Sequence, residues 1–69
     1  MKTISSSDII FATVSMRGSL VAQLCISGIA SFKEILARVR QAIGARVGLA
    51  TLKLRNGSQG WTDSRTLVF

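Results

Sequence analysis

Ser31-Phe32-Lys33-Glu34-Ile35-Leu36-Ala37-Arg38-Val39-Arg40-Gln41-Ala42-Ile43-Gly44 is the stretch whose reading decides the fold, because it carries the clearest helical signature in the chain. Ser31 and Glu34 form an S-x-x-E capping box, in which each side chain satisfies a backbone amide left without a partner at a helix start. Phe32, Ile35, Leu36, Val39, Ala42 and Ile43 then fall on one helical stripe, and Lys33, Ala37, Arg38, Arg40 and Gln41 fall on the opposite side. Gly44 is a natural stop, since glycine adopts the left-handed conformation that closes a helix. A helix with a single apolar stripe has to cover another layer. The flanking sequence reads as the strands of that layer.

Toward the N-terminus, Ile10, Ala12, Val14 and Met16 alternate with Phe11, Thr13 and Ser15, the period of a half-buried strand. A second alternation sets Leu20, Ala22, Leu24 and Ile26 against Val21, Gln23, Cys25 and Ser27. The two strands are expected to pair as a hairpin around Arg17-Gly18-Ser19. A three-residue loop brings the two more apolar faces together, whereas a two-residue loop would put Phe11 on the core side, because a one-residue slip exchanges the faces of a strand. The odd loop is therefore expected. Residues Met1 to Ser7 are polar and serine-rich without periodicity and read as a flexible arm, with the fold starting near Asp8.

Toward the C-terminus, Ala50, Leu52 and Leu54 alternate with Thr51, Lys53 and Arg55, a third strand with one charged face. Asn56-Gly57-Ser58-Gln59-Gly60 is a loop by composition. Trp61 to Phe69 reads as a fourth strand, with Asp63 and Ser64 weakening its start.

Residues 8–69 read as a single domain whose strand-strand-helix-strand-strand order, over Ile9 to Phe69, resembles the beta-grasp arrangement of ubiquitin-like proteins and of the immunoglobulin-binding domain of protein G. The resemblance implies an α+β domain with one four-stranded mixed sheet and the helix packed on one face. It also implies that the first and last strands lie side by side in the centre and run parallel, with Leu20 to Ile26 and Leu49 to Arg55 at the edges. The chain lacks the glycine pair on an extended tail with which ubiquitin-like modifiers are conjugated, so modifier activity is not expected.

With 69 residues, one domain near the lower limit for a single hydrophobic core is expected. The composition is 48% hydrophobic and 17% charged, which favours a folded chain. The run Ile9 to Ala12 is far shorter than the roughly 20 apolar residues that cross a bilayer, so no membrane span is expected. Ser5 to Asp8 stand where the apolar stretch of an export signal would lie. The single Cys25 fits a reducing, cytoplasmic setting and excludes an internal disulfide. The net charge of +6 raises encounter rates with polyanions.

Catalysis is not expected. The chain has no histidine, and its side-chain carboxylates are Asp8, Glu34 and Asp63, so activated acid–base or nucleophile pairs are scarce. Cys25 has no histidine to activate it and reads as a small packed hydrophobe. Asp8 and Asp63 begin strands expected to be neighbours, yet two carboxylates make a poor cation site, and no metal, cofactor or small-molecule substrate is expected.

Binding is the expected function. Phe11, Val21 and Cys25, with Val68 beside them, are expected to share the open sheet face with Arg17, Lys53 and Arg55, as an apolar patch rimmed by positive charge. The second strand carries no charge and is expected at a sheet edge, where it can pair with another strand; Lys53 and Arg55 block such pairing on the third. Phe11, Val21, Gln23 and Cys25 are thus candidates for contact with a protein partner or a second copy of the chain. The alternative is a small nucleic-acid-binding protein, for which Arg17, Lys33, Arg40, Lys53 and Arg55 are the candidate polyanion contacts. Trp61 reads as a lid on the core edge.

Overall fold

A computed structural model of the chain describes residues 3–69. Met1 and Lys2, the start of the expected arm, lie outside the described residues. Four strands and one helix follow in the expected order: β1 (Ile9–Met16), β2 (Ser19–Ser27), α1 (Phe32–Ile43), β3 (Leu49–Asn56) and β4 (Thr62–Val68). The helix starts where its capping residues place it, with the Ser31 hydroxyl accepting the Glu34 amide at 3.3 Å. It ends at Gly44, whose φ of 66° lies in the left-handed region and whose N–H donates to the Arg40 carbonyl.

The sheet differs from the expected mixed arrangement. Its order is β2-β1-β3-β4, and all three neighbouring pairs are antiparallel. The parallel central pair of first and last strands is not formed: β1 and β3 occupy the centre, and β4 takes the margin expected for the third strand. The inward residues supply the physical reason. β3 presents Ala50, Leu52 and Leu54 to the helix, all at most 2% exposed. The corresponding positions of β4 are Asp63, Arg65 and Leu67, as their pairing with Leu54, Leu52 and Ala50 shows. A strand with two charges on its inner face cannot fill the centre of an apolar layer without leaving those charges desolvated.

The first hairpin reaches the expected facing by a different route. Ile10 pairs with Ile26, Ala12 with Leu24 and Val14 with Ala22, so the two apolar faces do meet. The turn, however, holds only Arg17 and Gly18, since Met16 already pairs with Ser19. The missing residue is supplied by a β-bulge: Ser15 pairs with Leu20 while Val14 pairs with Ala22, which leaves Val21 as the extra residue. Arg17 and Gly18 both have positive φ, 53° and 77°, the signature of the type I′ turn that suits a two-residue hairpin.

The core lies between sheet and helix. Ile35, Val39 and Ile43 of α1, at most 1% exposed, pack with Ile10, Ala12, Val14, Ile26 and the inner face of β3. Burying each such aliphatic side chain contributes about 1.5–3 kcal/mol. Two cations close the flank between helix and β4: the Arg65 guanidinium lies 3.9 Å from the Phe32 ring centroid, and Arg40 lies 5.3 Å from that of Phe69. Phe69, expected inside the last strand, follows it and still exchanges backbone hydrogen bonds of 2.9 Å with Gly48. Trp61 packs against the core margin as a lid, its indole N–H donating to the Thr3 carbonyl at 3.2 Å.

Candidate binding surface

The strand pairings fix which residues share the face away from the helix. One row across the sheet is Cys25, Phe11, Arg55 and Thr62, and the next is Gln23, Thr13, Lys53 and Ser64. A third row is Leu20, Ser15, Thr51 and Thr66, followed by the pair Leu49 and Val68. The centre of the face is therefore hydroxyl-rich and cationic. Apolar groups stand at its two ends: Phe11 with Cys25 at one, and Leu20, Leu49 and Val68, 57%, 64% and 75% exposed, at the other.

Phe11 is the aromatic residue of this face, and two neighbours hold it in place. Its ring rests against Gly57, where a Cβ would approach Phe11 Cε2 to 3.0 Å, and the Arg55 guanidinium covers it at 4.8 Å from the centroid. Glycine at position 57 thus makes room for the ring. A shallow depression of about 580 Å³ runs from Phe11 across Thr13, Gln23, Lys53 and Arg55 to Ser64. Cys25 is a free, exposed thiol opposite Phe11.

The structure brings together Phe11, Gln23, Cys25, Lys53 and Arg55 of the expected contacts and places the others elsewhere. Val21 sits in the bulge and packs against the core, not on the open face. Arg17 occupies the hairpin tip, where it borders a separate depression with Arg46 and Val47. Lys33 and Arg40 belong to the helix layer on the other side of the sheet, Arg40 engaged with Phe69. The strands at whose starts Asp8 and Asp63 lie, expected to be neighbours, are separated by β3, so the two carboxylates are not brought together.

Asp8 instead anchors a polar knot that sequence reasoning missed. Its carboxylate, in a residue 5% exposed, accepts from Asn56 Nδ2 at 2.8 Å, Gln59 Nε2 at 2.6 Å and the Ser5 amide at 3.0 Å. Asn56, with no exposed surface, turns its Oδ1 to the amides of Ser58 and Gln59. The Asn56 side chain, and then the Ser5 amide, hold the Asp8 carboxyl below its ordinary range against the opposing effect of burial, and Gln59 adds to the lowering. Asp63 is paired with Arg65 at 3.0 Å. Both carboxylates are thus engaged in structural contacts.

Comparison with known proteins finds no family model, curated protein or solved structure that matches this chain. The geometry alone carries the functional reading. No helix among the described residues is long and apolar enough to cross a membrane.

Proposed function

We propose that the protein is a non-catalytic binding and assembly module that extends its sheet by accepting a strand along β2, from a protein partner or from a second copy of itself. The observation that carries this reading is the contrast between the two sheet margins. β2, Ser19–Ser27, lies at one margin without a charged residue along its length. β4 lies at the other and carries the Asp63–Arg65 ion pair. Charges protect an edge from edge-to-edge pairing, and an uncharged edge offers its free backbone groups to another strand.

The engagement of Asp8 and Asp63 in structural contacts and the absence of histidine from the sequence support a role without catalysis. A single exposed thiol fits a reducing compartment such as the cytoplasm.

Sedimentation velocity at two protein concentrations tests the assembly. We expect a concentration-dependent dimer that Gln23→Lys weakens at least about tenfold, by placing a charge at the centre of the margin, at unchanged helix content. If the chain sediments as a monomer at both concentrations, a strand peptide with the sequence of β2 should bind in its place. A monomer that ignores the peptide overturns the reading, as does a dimer whose mass Gln23→Lys leaves unchanged.

A further inference from the structure

We propose that the open face of the sheet is a binding site for single-stranded nucleic acid, centred on Phe11, Lys53 and Arg55 and separate from the backbone edge of β2. Charge gives the first argument. The chain carries nine lysines and arginines against three acidic residues. The strand pairings place Lys53 and Arg55 at the centre of the outward face and assign no carboxylate to an outward position on it. Asp63, at the border of the depression, is paired with Arg65. The face therefore carries two outward cations and no outward carboxylate, with Asp63 at its border engaged by Arg65, which suits a phosphate backbone.

Shape and chemistry give the second argument. The Arg55 guanidinium lies over the Phe11 ring at 4.8 Å, and Gly57 fixes the ring from the loop side. A base can stack on the guanidinium plane, or on the ring if Arg55 swings out to a phosphate. Both are sequence-tolerant contacts used for unpaired bases. Around this platform stand Thr13, Gln23, Thr62 and Ser64, which donate and accept hydrogen bonds to base edges and sugar hydroxyls. Four strands spaced about 4.8 Å apart give a face roughly 14 Å across. That fits about four nucleotides, the low end of the site sizes found on small sheet-based domains.

The same features disfavour other polyanions. A duplex keeps its bases stacked inside and cannot use Phe11 or Arg55 as a platform. An acidic peptide can pair with Lys53 and Arg55 but has no flat group for the stack.

Fluorescence anisotropy with end-labelled oligo(U) and oligo(dT) of about twelve nucleotides at low salt tests the site, the two probes showing whether the 2′-hydroxyl contributes. Lys53→Gln and Arg55→Gln should each weaken binding about tenfold, and Lys53→Gln should also flatten the logarithmic salt dependence by about 0.7. Phe11→Ser should weaken binding about tenfold with the salt dependence unchanged, the mark of a stacking contact. Arg38→Gln removes the same charge from the exposed helix surface and should cost less than about twofold. Circular dichroism verifies folding of each variant. Equal losses from Arg38→Gln and Lys53→Gln would reduce the effect to net charge and overturn the site. Binding of a duplex as tight as that of the single strand, full displacement by oligo-glutamate at equal charge, or no binding to either probe at low salt would each overturn it too.

Discussion

Asp8 and Asn56 join the start of β1 to the end of β3, across 48 positions of sequence. The Asp8 carboxylate is stabilised as an anion by the donors it accepts from, so its folded-state pKa lies below the unfolded value. Such a group contributes stability above the unfolded pKa, about 4 for an aspartate, and loses the contribution as pH falls toward the folded value. Thermal melts should thus hold level from about pH 7 to 5 and drop below about pH 4. In Asp8→Asn the melting temperature at neutral pH should fall and the acid drop should flatten; an acid profile identical to that of the parent chain would show that Asp8 is not its source. Asn56→Ala removes a buried donor and an acceptor of two amides, at a cost of about 1–3 kcal/mol measurable by urea unfolding. The sequence displays half of this knot. Asparagine before Gly57 and Ser58 announces a side chain that folds back on its own turn, as its Oδ1 does. The other half is a contact between distant segments, and neither residue's local pattern points to it.

The elements show the same division between local and distant. The helix was legible because its cap, stripe and stop all lie within consecutive residues, and it runs from Phe32 to Ile43 as those signals require. The faces of β1 and β2 were legible because apolar burial obeys a period of two. The turn was not, because parity can be restored anywhere along a hairpin, and here Val21 does so within the strand. The turn itself is imperfect: Arg17 holds a φ of 53°, where a branched or long side chain is strained and asparagine is tolerated. Arg17→Asn creates the favoured Asn-Gly pair and should raise stability by roughly 0.5–1 kcal/mol in urea unfolding, with the dimer unaffected. A loss of stability would show that the arginine side chain makes a contact worth more than the strain it causes.

At the scale of the whole molecule, the strand order was the part that sequence reading could not reach. In the sequence Lys53 and Arg55 have the pattern of edge protection, yet they stand on an interior strand with their side chains on its open face. Exposure of a side chain reports the face of a sheet and says nothing of whether the strand has neighbours on both sides. What would have separated β3 from β4 is the inner face, apolar in one and charged in the other. The core is small for its task, since folded domains hold about 0.05–0.15 kcal/mol per residue, or roughly 3–10 kcal/mol for a chain of this length. Ile35→Ala, at a position with no exposed surface, should cost about 2–5 kcal/mol and leave much of the population unfolded at 37 °C by far-ultraviolet circular dichroism.

The bulge at Val21 also sets the reach of the β2 margin. Its ladder to β1 runs without interruption from Ala22 to Ser27 and breaks before Leu20. A guest peptide in regular hydrogen-bonding register therefore has about 20 Å of straight rail to follow. Hexapeptides should already saturate it, and residues added beyond the Ala22 end should gain no further affinity.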